Sequence, residues 1–272
     1  MKNKIIQFIC PDQKGIISQI TSIIHKSSHN ILSIEQHVDN ENNIFYIRVV
    51  IEYNSSNKFP ENDLLLLSKK LNGRINILDS NKKINVAILG TKESEPIYDL
   101  FIKHTSKSLH CNTPILISNH NELSNIANQF NTAFYKVENN QKILDILKIE
   151  NIDLIILARY MQIIPRKIVN LYKNNIINIH HGFLPAFKGA KPYHRAYKKG
   201  VKMIGATAHY VTNTLDEGPI ITQDVVPINH THSIKNIMQL GREIERTVLY
   251  KAVKAHLEYK IIINNNKTIV FK

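Results

Sequence analysis

At 272 residues the chain can bury a proper core, as one large domain or as a small and a medium one. Hydrophobic residues make up 43%, yet the longest purely apolar runs, such as Leu154–Ala158, fall far short of a bilayer span, so no membrane segment is expected. A count of 35 Lys and Arg against 22 Asp and Glu gives a net charge of +13. These basic residues are scattered, with no basic helix face interleaved with aromatics, which argues against nucleic acid and leaves a diffuse field suited to an anionic small substrate.

The opening "MKNKIIQFICPDQKG" has only a brief apolar stretch, interrupted by Gln7 and closed by Pro11 and Asp12, so it lacks the apolar region of a signal peptide and we expect a cytoplasmic protein. Within it "KIIQFIC" reads as a strand. Pro11, Asp12 and Gly15 then form a loop before a helix whose Ile16, Ile20, Ile23 and Ile24 share one face. Two alternating strands follow, "NILSIEQHV" and "NIFYIRVVIEY", across the polar turn "DNENN". A helix over "NDLLLLSKKLN" and a strand over "GRINILD" complete a β-α-β-β-α-β order, the split βαβ plan, in residues 1–80. Cys10 and Cys111 have no metal-type partner spacing and read as buried free thiols, so no metal site is expected.

The polar string "DSNKK" at 79–83 is the expected linker, and the rhythm changes after it. Buried strands "INVAILG", "TPILISN", "DLIILARY" and "NNIINIHH" alternate with helical stretches, the pattern of a Rossmann-like, doubly wound α/β domain with a mostly parallel sheet over 84–272. Two further strands, "KMIGATAHYV" and "PIITQDVVPI", flank the turn-rich "TNTLDEG". A closing helix runs from about Ser233 to Tyr259, with Ile234, Ile237, Ile244, Leu249, Val253 and Leu257 near helical spacing.

The chemistry concentrates where "NIINIHH" ends. Alternation along a strand sends Asn178 and His180 to one face and Ile179 and His181 to the other, and ligands bind outside the carboxyl ends of such strands. An amide donor beside an imidazole suits an acyl-type reaction, the amide holding an oxyanion and the imidazole moving a proton. Asp216, on the turn before Gly218 and Pro219, is the candidate carboxylate. Each residue alone is ordinary strand-end or turn chemistry; the ordered set carries the weight.

That set is Asn178-x-His180, then Leu184-Pro185, "GATAHYV" and "LDEGPII", and from 84 to about 256 it resembles the formyl transferase family that uses 10-formyltetrahydrofolate. The resemblance implies Asn178, His180 and Asp216 as the catalytic triad, with His209 and Tyr210 supporting the site or the core. It also implies a pteridine pocket beside "LARYMQII", touching Met161, Gln162 and Ile164, with Asn213, Thr214 and Leu215 in the loop that closes its polar edge. The end of a buried strand leading into a helix accounts for the apolar residues of that segment without a ligand. In the N-terminal unit "CPDQKGI", Asn30-Ile31, Gln36-His37 and "FYIR" resemble an ACT regulatory domain, a ferredoxin-like fold. That resemblance implies an amino-acid effector at the loop marked by Asp12 and Gly15, or oligomerisation alone, and the two readings stand level.

The acceptor of the formyl group separates the family's branches. Glu93 and Glu95 put negative charge on the turn after the first strand of the second domain, which disfavours a phosphate-bearing acceptor there, and the stretch after the closing helix is too short for an RNA-binding domain. Taken whole, the chain resembles the formyltetrahydrofolate deformylases, which give the group to water. This implies a homo-oligomeric hydrolase with no bound cofactor, taking 10-formyltetrahydrofolate as substrate and supplying formate to purine synthesis. Gly182 departs from the serine common in that family, and "GTKESEP" and "FYKVENN" also differ from its usual forms. Formyl transfer to an amine such as glycinamide ribonucleotide, and a folate sensor without turnover, are the alternatives.

Overall fold

A computed structural model describes residues 2–53, 56–112, 114–138, 141–186 and 192–272. Contacts divide the chain into two compact units, one of Met1–Lys82, Glu258–Asn264 and Ile269–Lys272, the other of Lys83–Leu257 and Asn265–Thr268.

In the first unit β1 (Lys2–Pro11), α1 (Ile16–Lys26), β2 (Asn30–Asp39), β3 (Ile44–Tyr53), α2 (Glu61–Lys70) and β4 (Arg74–Asp79) follow the expected order. They build an antiparallel sheet ordered β2-β3-β1-β4. Gly15, at a left-handed φ of 85°, starts α1, whose Ile16, Ile20 and Ile24 are buried at four-residue spacing. These pack with Phe8, Ile47, Val49 and Leu64, each such buried side chain contributing about 1.5–3 kcal/mol over exposure.

The final segment corrects the expected boundary of the second domain. Residues Glu258–Asn264 and Ile269–Lys272 belong to the first unit, because polar groups on its sheet are satisfied by their carbonyls. Gln7 Nε2 donates to Tyr259 O and Ile261 O, both at 3.0 Å. Arg48 donates through Nε to Tyr259 O at 2.9 Å and through Nη2 to Glu258 O at 3.0 Å, while Nη1 pairs with Glu35 at 2.9 Å. Both side chains are buried, so losing these acceptors would leave a desolvated amide and charge. Ile262 and Phe271 add an apolar patch with Tyr46.

The second unit contains β5 (Val86–Gly90), α3 (Glu95–Thr105), β6 (Ile115–Ser118), α4 (Ser124–Gln129), β7 (Phe134–Lys136), α5 (Gln141–Ile149), β8 (Leu154–Leu157), α6 (Arg166–Leu171), β9 (Ile176–His180), α7 (Pro192–Lys199), β10 (Met203–Tyr210), β11 (Ile220–Pro227) and α8 (Ile234–Leu257). Beyond α8 lie β12 (Ile261–Asn264) and β13 (Lys267–Val270). The seven-stranded sheet is ordered β11-β10-β9-β8-β5-β6-β7. β7, β6, β5, β8 and β9 run parallel to one another, whereas β10 is antiparallel to both β9 and β11, so the sheet is mostly parallel as expected. Every residue of β5, β6 and β8 is buried, as strands covered on both faces require. The chain leaves β5 toward β6 and β7, then returns to β8 on the other side. The switch point, where a crevice opens outside the strand ends, therefore lies between β5 and β8.

Among the described residues no helix is long and apolar enough to cross a membrane. Cys10 and Cys111 are free and buried, and burial raises both thiols to about 11, so neither is a thiolate at neutral pH.

Candidate active site

Strand pairing builds the centre. Asn178 of β9 stands directly opposite His209 of β10, and His180 opposite Thr207, so the two-residue period puts these four side chains on one face. A register shift between Ala208 and His209 in the pairing with β11 marks a bulge at this point. His209 Nδ1 lies 2.9 Å from the Tyr210 carbonyl and donates to it. Its Nε2 is thereby an acceptor and takes a hydrogen bond from Asn178 Nδ2 at 3.2 Å, which fixes the orientation of the amide. Burial lowers the His209 pKa and keeps the ring neutral.

Asp216 arrives from the turn between β10 and β11. That turn closes tightly: a Cβ at Gly218 would stand 1.7 Å from the Tyr210 carbonyl oxygen, so only glycine fits, and Asp216 itself takes a left-handed φ of 56°. Its Oδ2 reaches His180 Nδ1 at 3.3 Å and its Oδ1 lies 3.8 Å from His209 Nε2, with the His180 and Asp216 side chains 5% and 7% exposed. A carboxylate facing Nδ1 holds the proton on that nitrogen and leaves the lone pair on Nε2. Among the described residues His180 Nε2 is buried and has no hydrogen-bond partner, which leaves it as an acceptor facing the centre. The loop after His180 is anchored by Thr207, whose hydroxyl donates to Gly182 O at 2.9 Å and accepts from Leu184 N at 3.0 Å and from Gln223 Nε2 at 3.0 Å. Residues 187–191 of the motif "HHGFLPAFKGAKPY" lie outside the described residues.

Asn178, His180 and Asp216 are thus brought together, with His209 as the residue that joins them. The remaining sequence candidates divide. Met161 is exposed, and its amide donates to Thr91 Oγ1 at 2.9 Å at the end of β5; Gln162 is exposed beside it. Ile164 is not an open wall: it is buried in the core with Tyr160 and Ile168, because the chain there turns into α6. Asn213 donates to Asn170 of α6 at 2.8 Å, the Thr214 carbonyl accepts from Thr212 at 3.0 Å, and Leu215 is exposed. Asp12 and Gly15 share the loop before α1, where the Asp12 amide donates to Asn43 O at 2.9 Å and the Gly15 carbonyl accepts from Gln19.

Sequence reasoning misses a second buried polar group. Glu245 of α8 is 2% exposed; Tyr193 of α7 donates to its Oε1 at 2.6 Å, and Arg159, just after β8, places Nη1 3.6 Å from its Oε2. A Cβ at Gly241 would meet the Tyr193 ring at 2.2 Å, so that glycine is what seats the tyrosine on α8. The His181 ring lies between, 5.5 Å from His180 and 6.0 Å from Tyr193 by centroids. Burial, reinforced by the Arg159 charge, pushes its pKa down to about 3. The one available sequence signal is an acidic residue on the buried stripe Ile237, Gly241, Glu245, Val248 and Leu249. Ile244, expected on that stripe, is half-buried instead.

A family model described as formyl transferase matches residues 84–253. The chain is 41% identical over 275 residues to a formyltetrahydrofolate deformylase of Synechocystis sp., covering 96% of each, and 38% identical over 280 residues to one of Escherichia coli, covering 99% of each. The crystal structure of a formyltetrahydrofolate deformylase from Pseudomonas syringae superposes with a TM-score of 0.95 at 34% identity, covering 100% of this chain and 95% of the other.

Proposed function

Because the chain belongs to the formyltetrahydrofolate deformylases of the formyl transferase family, we infer that it hydrolyses 10-formyltetrahydrofolate to formate and tetrahydrofolate. The observation that best supports a site for this reaction is the buried contact of His180 Nδ1 with Asp216 at 3.3 Å. In this reading Asp216 orients His180, and Nε2 removes a proton from water as the water oxygen attacks the formyl carbon. The N–H of Asn178 not used by His209 holds the oxyanion. Collapse of the tetrahedral intermediate breaks the bond from carbon to N10, which takes the proton from His180 and departs as tetrahydrofolate, while the formic acid ionises. The pteridine would lie beside Met161 and Gln162, near the turn Asn213–Leu215. Formate so released would feed purine synthesis.

The first unit is proposed as an ACT-type regulatory domain that binds an amino acid at the Asp12–Gly15 loop. Edge strand β2 exposes Leu32 and Ile34 beside its unpaired backbone groups, which supports homo-oligomerisation through this unit. The experiment is to incubate the protein with 10-formyltetrahydrofolate and assay formate, with and without glycinamide ribonucleotide and free amino acids. Formate released without the nucleotide is expected. Formyl transfer only when the nucleotide is present, or no product at all, would overturn the hydrolase reading; rates indifferent to every amino acid leave the first unit to oligomerisation alone.

A further inference from the structure

The Arg159–Glu245–Tyr193 group is built at a cost that the mechanism above does not explain. Arg159 adopts a left-handed φ of 60°, a backbone conformation that side chains other than glycine rarely take. It is held there from both sides, by the Ala158 amide bonded to Leu89 O at 2.9 Å and the Met161 amide bonded to Thr91 at 2.9 Å. These bonds tie it to the end of β5, at the switch point where the β5–β8 crevice opens. Its side chain is 14% exposed, and Nη1 is fully buried and, among the described residues, has no hydrogen-bond partner. A buried guanidinium nitrogen left unsatisfied is expensive, and strain of this kind collects at ligand sites. Glu245 does not satisfy it at 3.6 Å, and burial raises the Glu245 pKa, weakening its charge as a competitor.

We propose that Arg159 is the receptor for the carboxylate product, formate, which leaves the His180–Asp216 centre past His181 and pairs with the orphaned guanidinium nitrogen. This rests on the hydrolase reading. Hydrolysis turns a neutral formamide into an anion next to the Asp216 carboxylate, and like charges drive it away. Arg159 is near enough for its charge to act on His181, whose ring adjoins His180, and a planar carboxylate complements a planar guanidinium.

The test is titration of isotope-labelled formate into the resting protein, followed by NMR, alongside inhibition of turnover by formate. Saturable binding is expected in the parental protein, weakened at least about tenfold in Arg159→Gln, with KM for 10-formyltetrahydrofolate within about threefold. Unchanged formate affinity in Arg159→Gln sinks the proposal. So does a raised KM with unaltered formate binding, since the glutamate tail of the folate would then be the occupant. Should Arg159→Gln fail to fold, the guanidinium nitrogen resonances of Arg159 in the parental protein serve instead: they must shift with the formate midpoint, and their indifference is equally fatal. Formate binding needs no turnover, so a protein that holds formate at Arg159 but releases none from 10-formyltetrahydrofolate counts against the hydrolase reading alone.

Discussion

Asp216 is the residue on which the arrangement turns. Its Oδ2 faces His180 Nδ1 at 3.3 Å, which favours orienting His180 over acting as the base itself. Asp216→Asn keeps the shape but presents an amide N–H that stabilises the wrong tautomer, with the proton on Nε2. Formate release is expected to fall by about 10³ or more in kcat, with folate binding within about tenfold, as read from steady-state kinetics and a binding titration. Hydrolysis at the parental rate would remove Asp216 from the mechanism. At this scale the sequence is informative where local geometry suffices: alternation along a strand is enough to put Asn178 and His180 together. It does not reveal that His209 is the acceptor that orients Asn178, because that depends on the register of β10 against β9.

Among the elements, the turn between β10 and β11 carries the site. Gly218 lies against the Tyr210 carbonyl, and the Tyr210 amide donates to Pro219 O at 2.9 Å, so the turn has no slack. In Gly218→Ala a Cβ 1.7 Å from a backbone oxygen must displace backbone. We expect a loss of about 2 kcal/mol or more in denaturant unfolding, together with a fall in kcat as Asp216 is carried off His180. Wild-type stability and activity together would mean the turn relaxes freely. The order of strands and helices is legible from periodicity because each element buries a face of its own. Glu245 is not, because a charged residue within a helix ordinarily faces water, and only packing of α7 and the end of β8 against α8 makes its position an interior one.

For the molecule as a whole, two half-buried histidines weaken stability toward acid. Burial pushes His181 down to about 3 and His256 down to about 4, the latter hydrogen-bonded through Nδ1 with the Tyr210 hydroxyl at 2.8 Å. Unfolded histidines titrate near 6.5, so between about pH 6.5 and 4 the unfolded chain binds more protons than the folded one. Stability from these groups is fully present above about pH 6.5 and falls as the pH drops through that window, by on the order of 3 kcal/mol for each ring at most. Urea midpoints from about pH 7 to 4.5 should decrease accordingly; a flat series would show that the rings are protonated in the fold.

The tail on the first unit has a bearing on biosynthesis. Gln7 and Arg48 emerge from the ribosome early, yet the carbonyls they bind belong to residues 258–261. The sheet of the first unit must therefore wait, with a cation and an amide exposed on one surface, while some 175 intervening residues are translated, counting Lys83–Leu257 as the insert. A fragment cut near residue 82 would retain every strand of that sheet and still lack the acceptors that let its polar surface be buried.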